Sequence, residues 1–240
     1  MLSIIVFAII LLMREETDLK KVKSLAQAFV YMEPEQVEEC PFFIQHPIFD
    51  TILQIIDGKP FNLLEDTKTF KELQQKTVDT IFQQKNALDV LLMIRASYRL
   101  TFFKYCKDDL SEEDYSNILI EAWLTEENPM SDVNVSMKEL LSYFKKANKE
   151  IMMCSKDLAT YSTFPDKLTI YRGVKEPKLG MSWTLSKSKA EWFAKRFSDT
   201  GYLFQATANK SDILCYTDER EEKEIIINPK LLTDIKQNAI

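Results

Sequence analysis

The chain has 240 residues, of which 45% are hydrophobic and 28% are charged, and its formal net charge is −6. This length suggests one large domain or two small ones, and the low numbers of glycine and proline, four and eight, exclude a fibrous or low-complexity protein. The negative balance argues against a broad electrostatic grip on nucleic acid, which needs a basic face, although it is compatible with a small local patch.

The chain begins with Leu2–Met13, a run of 12 residues without a charge. As a helix this run would span roughly 18 Å, less than the hydrocarbon core of about 30 Å, and it lacks the basic region and cleavage site of a signal peptide. A buried helix or strand is favoured; a short membrane anchor or uncleaved signal, and a mis-assigned start, are the alternatives. In an anchor, basic residues from Arg14 onward would keep the remainder in the cytoplasm. We treat residues 1–16 as a separate segment.

Residues 17–160 are predicted to form a helical region, because apolar residues recur there at helical spacing and turn signals are few. The dense apolar stretch Leu88–Leu100 predicts a central helix that is buried on most sides. Capping boxes are predicted at Ser111 with Asp114 and at Ser136 with Glu139. The second box would open a helix that places Leu140 and Phe144 on one face and continues for two turns to Ile151.

The pattern changes in residues 161–240, where short β-like runs surround one helix. The helix is predicted from about Lys187 to Phe197, with Ser188 and Glu191 as a capping box. The predicted strands are Leu168–Tyr171, Met181–Leu185, Tyr202–Thr207, Ile213–Tyr216 and Glu224–Ile227. The fold class is therefore α+β, with an α-helical N-terminal region followed by a small mixed β core.

The scarcity of histidine and the spacing of the cysteines argue against several kinds of active site. His46 is the only histidine, so a Ser-His-Asp or Cys-His site would depend on this one residue, which is read as a surface or half-buried side chain. The sequence contains no GxSxG elbow, P-loop or GxGxxG run. No two cysteines form a CxxC pair, so we expect no metal and reduced, mostly buried thiols of a cytoplasmic protein. These cysteines are Cys40, Cys106, Cys154 and Cys215.

Three segments of the last third carry candidate chemistry. Arg172 ends a β-like run and is followed by Gly173; arginine can grip a diphosphate with paired donors, and glycine allows close backbone approach. Ser182 and Thr184 alternate with a tryptophan and would share one face of a strand. Glu222 and Glu224 are two residues apart at the start of an apolar strand, so both carboxylates would point to one side and perturb each other's pKa. A register shifted to Glu219 with Glu221 is the less favoured alternative.

In this order and spacing, the three segments resemble the R-S-E class of mono-ADP-ribosyltransferases, which includes clostridial-type toxins, vertebrate ecto-enzymes and phage-encoded transferases. The arginine is Arg172 in YRG, and Ser182-Trp183-Thr184 stands where Ser-Thr-Ser is expected. The pair Glu222-Lys223-Glu224 stands where (Glu/Gln)-x-Glu is expected. The resemblance covers roughly Lys167–Ile240, implies a β core of ADP-ribosyltransferase type, and makes the preceding helices an α-lobe.

The resemblance implies that the protein transfers ADP-ribose from NAD to a macromolecule and releases nicotinamide. Arg172 would bind the NAD phosphates, and Ser182 and Thr184 would contribute to NAD binding. Glu224 would bind the ribose 2′-OH and stabilise an oxocarbenium-like centre, while Glu222 would orient or deprotonate the acceptor. Glutamate in this first position accompanies protein arginine as the acceptor; a nucleic-acid acceptor is compatible with the same fold. The alternative is a non-enzymatic binding protein on a degenerate transferase fold, favoured by the altered Ser-Trp-Thr.

Overall fold

The computed structural model describes residues 14–240, so the predictions for Leu2–Met13 lie outside the described residues. The described part of the chain is an α+β protein, as predicted. It divides into two compact units, the first ending at Ile118 and the second beginning at Leu119. The limit expected near residue 160 therefore falls within the second unit. No helix in residues 14–240 has the length and apolar character needed to cross a bilayer.

The first unit combines helices with two short antiparallel strand pairs. Its helices are α1 (Leu19–Val30), α2 (Thr67–Gln83), α3 (Ala87–Leu92), α4 (Arg99–Cys106) and the start of α5 (Glu112–Thr125). Its strands are β1 (Glu35–Gln36), which pairs with β2 (Ile44–Gln45), and β3 (Leu53–Ile56), which pairs with β4 (Lys59–Asn62). Ile44 and Phe49 pack there in a small apolar cluster with Leu63 and Phe70.

The prediction of a helical region was wrong between residues 35 and 62, where these strands lie. The missed signal is Asp57-Gly58, which joins β3 to β4 with positive φ angles of 50° and 76°. An Asp-Gly pair favours this two-residue hairpin turn, because both positions require left-handed backbone. The turn therefore marks a hairpin in a stretch whose apolar spacing suggests a helix.

The expected central helix over Leu88–Leu100 is also divided. Helix α3 ends at Leu92, a short 3-10 turn covers Ala96–Tyr98, and α4 begins at Arg99. Leu92 is exposed, while most of the other apolar side chains in the stretch are buried as predicted: Val90, Leu91, Ile94 and Leu100. High apolar density therefore identified the core but not the break in the backbone.

The second unit is built on a six-stranded antiparallel sheet. The strands are β5 (Lys167–Val174), β6 (Ser182–Thr184), β7 (Tyr202–Asn209), β8 (Ile213–Thr217), β9 (Glu224–Ile227) and β10 (Thr233–Ala239). Their order across the sheet is β10-β7-β5-β6-β9-β8, and every pairing is antiparallel rather than mixed. All five predicted strands are present. Strand β10 was missed because its residues are mostly polar and all exposed.

Helices of the second unit include the end of α5 and α6 (Met137–Lys146), α7 (Lys149–Met152), α8 (Ser155–Ser162) and α9 (Lys187–Lys195). The capping box of Ser136 and Glu139 is present at the start of α6. The expected continuation to Ile151 is wrong, because α6 ends at Lys146 and α7 begins after a new cap at Asn148. Helix α9 is capped by Ser186, whose hydroxyl accepts the Lys189 N–H, and not by Ser188.

Helix α9 packs so closely on β5 that no side chain fits between the two backbones at Gly173. A Cβ placed on Gly173 would lie 1.7 Å from the Ala190 carbonyl oxygen, and one placed on Gly201 would lie 2.2 Å from the Ala194 carbonyl oxygen. The close approach expected at Gly173 is therefore present, and it directly follows Arg172. Only a residue without a side chain fits here, because the obstructing atoms belong to helix backbone.

We expect Gly173→Ala to lower the free energy of unfolding by about 2 to 3 kcal/mol, as overpacking against an immovable backbone typically does. Gly58→Ala is the comparison: no atom lies within 4 Å of the added Cβ there, so only its φ of +76° opposes the change, at about 1 kcal/mol. Urea unfolding of both variants measures the difference. Equal losses would mean that α9 does not pack against β5 at this distance.

Candidate active site

Three neighbouring strands, β5, β6 and β9, together with the loop before β9, place the sequence-predicted residues around one cavity. Thr184 of β6 pairs with Tyr171 on one side and with Glu224 on the other, and Ser182 pairs with Ile226. The cavity has a volume of about 420 Å³. All five candidate residues line it: Arg172, Ser182, Thr184, Glu222 and Glu224. Segments that are 52 residues apart in the chain, from Arg172 to Glu224, therefore meet in one place.

Arg172 is oriented by backbone carbonyls rather than by carboxylates. Its Nη1 donates to the Ser182 carbonyl oxygen at 2.7 Å, and its Nε donates more weakly to that of Lys178 at 3.4 Å. Gly180 leaves room for it, since a Cβ there would lie 2.9 Å from Nη2. Burial lowers the pKa of Arg172 to about 10, against the opposing effect of Glu224, so the side chain is still cationic at neutral pH.

No carboxylate among residues 14–240 forms an ion pair with Arg172. A half-buried guanidinium held by neutral oxygens keeps its charge available to an anion that enters the cavity. This is the arrangement expected of a residue that grips phosphate.

Glu224 opens β9 and is only 3% exposed. Its Oε1 accepts a hydrogen bond from Trp123 Nε1 at 3.2 Å, and its Oε2 accepts one from Arg220 Nη2 at 3.2 Å. Burial raises the pKa of Glu224, while the Ser182 hydroxyl, Arg220 and Trp123 lower it. The carboxylate is therefore held in a fixed orientation in a poorly solvated place, which is a feature of functional groups.

Thr184 lines the cavity, but its hydroxyl is already used by the fold. Its Oγ1 donates to the Glu222 carbonyl oxygen at 2.6 Å and accepts the Ser186 N–H at 2.9 Å. These two hydrogen bonds connect the loop that carries Glu222 to the start of α9. Thr184 thus positions neighbouring elements in addition to lining the site.

Glu222 does not belong to the strand, which begins at Glu224. The expectation that strand alternation aligns the two carboxylates was therefore wrong. Glu221 and Lys223 have positive φ angles of 54° and 48°, which break the pleat. The two carboxylates nevertheless converge, because both contact Arg220: its Nη2 lies 3.1 Å from Glu222 Oε2 and 3.2 Å from Glu224 Oε2.

The loop that carries Glu222 is held from both sides. The Lys223 N–H donates to Asp218 Oδ1 at 3.0 Å, and the Leu185 N–H donates to the Lys223 carbonyl oxygen at 3.1 Å. Neither member of the alternative pair, Glu219 and Glu221, lines the cavity, and both are exposed. The geometry therefore favours Glu222 and Glu224.

Sequence reasoning missed two residues that contact Glu224. Trp123 lies near the end of α5, and no local sequence signal indicates that its indole N–H reaches a strand about a hundred positions later. Arg220 lies in the charged stretch that precedes the glutamate pair, and its spacing of four residues from Glu224 could have suggested a contact. It also donates from Nη1 to the Leu124 carbonyl oxygen at 3.1 Å.

Arg196, which follows α9, lines the cavity and packs against two exposed aromatic rings. Arg196 Nη2 contacts Glu127 Oε1 at 2.7 Å, and its guanidinium lies over the rings of Trp192 and Phe197. The apolar residues of this stretch differ in burial: Ala190 and Ala194 are buried, but Phe197 is 76% exposed.

His46 takes no part in this site. It is fully buried in the first unit, where Nδ1 accepts the N–H groups of Ile48 and Phe49 and Nε2 bonds the Met32 carbonyl oxygen. Burial lowers its pKa to about 4. The surface or half-buried histidine expected from the sequence is thus a core residue.

The four cysteines are free thiols, two of them buried and two exposed. Cys106 and Cys215 match the buried state expected for most of the cysteines, whereas Cys40 and Cys154 do not. Within residues 14–240 no cluster of metal-ligating side chains is found.

Because burial raises the pKa of Glu224, its folded form holds a proton more tightly than its unfolded form. The free energy of unfolding should then fall as pH rises above the ordinary glutamate value of about 4.3, until the folded carboxyl has ionised. Glu224→Gln removes this contribution. Urea unfolding across that pH range should show the stability of the wild type declining relative to the variant, and parallel curves would contradict the assignment.

Comparison with known proteins adds no relative. A scan against protein-family models gives no match, and neither the curated proteins nor the solved structures contain one with significant similarity. The resemblance to the R-S-E transferases therefore rests on the residues of this chain and on the way its strands bring them together.

Proposed function

We propose that the protein is an NAD-dependent mono-ADP-ribosyltransferase that modifies a macromolecule, with protein arginine as the acceptor. The observation that supports this most strongly is the meeting of Arg172, Ser182 and Glu224 around one cavity on three adjacent strands. These residues come from segments far apart in the sequence, and their meeting around one cavity adds support beyond the motifs themselves. A chance set of surface residues would have no reason to share a cavity.

The residues supply the chemistry that cleavage of the nicotinamide–ribose bond requires. Arg172 carries an unneutralised positive charge for a diphosphate. The Glu224 carboxylate would accept a hydrogen bond from the ribose 2′-OH and stabilise positive charge that develops on the ribose, as carboxylates do in glycoside cleavage. It does not need to reorganise, because Trp123, Ser182 and Arg220 already hold it.

Glu222 is suited to the second half of the reaction. It is partly exposed, in contrast to Glu224, and it lies beside the same guanidinium nitrogen of Arg220. A carboxylate at hydrogen-bond distance from a guanidinium can orient it and accept its proton. This is the role that an arginine acceptor needs, since a protonated guanidinium is a poor nucleophile.

The second candidate function is NAD binding without catalysis. It is favoured by Thr184, whose hydroxyl is committed to the Glu222 carbonyl and the Ser186 amide, and by the tryptophan in the middle of Ser-Trp-Thr. Release of nicotinamide from NAD separates the two functions, because a binding protein would leave NAD intact.

Glu224→Gln should lower the rate of nicotinamide release by about 100- to 1000-fold, as removal of one preorganised electrostatic contact does. Glu221→Gln is the matched control: it changes an exposed glutamate of the same loop that does not line the cavity, and its rate should equal that of the wild type. A Glu224→Gln enzyme with normal activity, or equal losses in the two variants, would disprove the role given to Glu224.

Glu222→Gln should preserve most nicotinamide release and abolish transfer, since the change removes a proton acceptor but leaves Glu224 in place. The measurement is labelling of a cell lysate with NAD that is labelled in its adenylate half. Digestion of the product with protease or nuclease then identifies the acceptor as protein or nucleic acid. Parallel losses of both activities would show that Glu222 does not act specifically on the acceptor.

A further inference from the structure

Asp157 is a buried carboxylate that lies outside the cavity. It belongs to the first turn of α8 and is only 2% exposed, yet it is not among the residues that line the cavity. Its Oδ2 accepts a hydrogen bond from the Asp218 N–H at 3.2 Å. A buried charge is costly unless it is hydrogen-bonded, whereas a carboxylate in the first turn of a helix benefits from the helix dipole even when it is exposed. The burial of Asp157 therefore serves its bond to Asp218 rather than the start of α8.

Asp218 is the first residue of the loop that carries Glu222. The loop runs from Asp218 to Lys223, between β8 and β9. Its two ends are tied together, because the Asp218 Oδ1 accepts the Lys223 N–H at 3.0 Å. The Asp218 carbonyl oxygen also accepts the Glu221 N–H at 3.0 Å. A displacement of Asp218 would therefore reach both residues that flank Glu222.

We propose that Asp157 is a positioning residue for the transfer step, because it holds Asp218 and thereby fixes the place of the Glu222 carboxylate. The proposal rests on the proposed function, which gives Glu222 its role toward the acceptor. What it adds is a group outside the cavity on which transfer depends more strongly than the release of nicotinamide. Asp157 itself contacts neither NAD nor the acceptor in this assignment.

Glu224 needs the loop less than Glu222 does. It belongs to β9, its carboxylate accepts the Trp123 indole N–H at 3.2 Å, and the Ser182 hydroxyl is a further donor. Arg220 is the donor that comes from the loop. Loosening of the loop would therefore disturb one of three donors and leave the carboxylate in its place on the sheet.

Glu222, in contrast, depends on the shape of the loop. Its neighbours Glu221 and Lys223 have positive φ angles of 54° and 48°, and left-handed backbone is strained for residues that carry a Cβ. The loop would relax to another shape unless hydrogen bonds retained it, and the bonds of Asp218 act on both of these neighbours. Because a misplacement of about 1 Å can cost about 100-fold in rate, even a small relaxation would impair a group that must meet the acceptor.

The charges around β8 agree with this placement of Asp157. Burial raises the pKa of Tyr216 to about 12, and the carboxylates of Asp218 and Asp157 contribute to the increase. Both carboxylates are therefore close to the end of β8, where the loop begins. Like charges that lie close together repel each other, and the N–H group that Asp218 donates to Asp157 offsets part of that repulsion.

The test compares Asp157→Asn with Asp212→Asn in the full chain. The first change keeps the size of the side chain but removes the charge that strengthens the bond to the Asp218 N–H. The second is the matched control: Asp212 is also a hydrogen-bonded aspartate of the second unit, but it accepts from the Asn209 side chain in the turn before β8, at the opposite end of that strand from the loop.

Two activities are measured with NAD that is labelled in its adenylate half: nicotinamide release, and transfer of label to the macromolecules of a cell lysate. We expect Asp157→Asn to lower transfer about tenfold more than it lowers nicotinamide release, and Asp212→Asn to keep the wild-type ratio of the two. A loss of folded protein would lower both activities together, so the ratio reports positioning and not stability. A wild-type ratio in Asp157→Asn would overturn the proposal.

Hydrogen exchange tests the same contact without any reaction. The amides of Asp218 and Lys223 should exchange about tenfold faster in Asp157→Asn than in Asp212→Asn, as the loss of a hydrogen bond to a charged group allows. Equal exchange in the two variants would overturn the positioning role and leave the transferase function standing. Absence of nicotinamide release from the wild type would instead remove the proposed function, and with it the role of Asp157 in transfer.

A second variant decides the question if Asp157→Asn does not fold, which thermal unfolding would show. Asp218→Ala removes the bond to the Lys223 N–H at a partly exposed position, so it leaves the buried Asp157 and its contact with the Asp218 backbone in place. We expect it to lower the ratio of transfer to nicotinamide release in the same direction. A wild-type ratio in Asp218→Ala would contradict the proposed link from Asp157 to Glu222.

Discussion

The second unit is organised around a carboxylate that is almost removed from water. Burial of a charged glutamate is costly unless donors surround it, and Glu224 has an indole N–H, a hydroxyl and a guanidinium as partners. These come from α5, β6 and the loop before β9, so the elements around the cavity are tied to one charge. The same donors that offset its burial also fix its orientation.

The sheet explains how residues distant in sequence contribute to a common site. Strand β6 has only three residues, yet it lies between the strands that carry Arg172 and Glu224. The Ser182 carbonyl oxygen accepts a hydrogen bond from Arg172 on one side, and the Ser182 hydroxyl lowers the pKa of Glu224 on the other. One short strand thus separates a cationic guanidinium from the Glu224 carboxylate, and the two side chains form no ion pair.

The strands of the second unit could be predicted because β-like runs and turn residues are both visible in the sequence, and the cavity residues because their types and spacing are unusual together. What could not be predicted depends on contacts across the fold. The alternation of side chains along a strand does not predict the position of Glu222, because Lys223 has a left-handed backbone conformation. No sequence pattern near Trp123 indicates its hydrogen bond to Glu224. The hairpin turn at Asp57 could have been recognised, since its sequence alone favours that geometry.

The left-handed backbone at Glu221 and Lys223 has a consequence for how the loop can be altered. Residues with a Cβ adopt such angles at a cost of roughly 1 kcal/mol each, so folding alone would favour glycine at both positions. Glycine would also admit many other loop shapes, and the Glu222 carboxylate would then spend less time beside Arg220. A side chain at these two positions narrows the set of conformations, and the loop gives up some local stability for a more constant spacing between its charges.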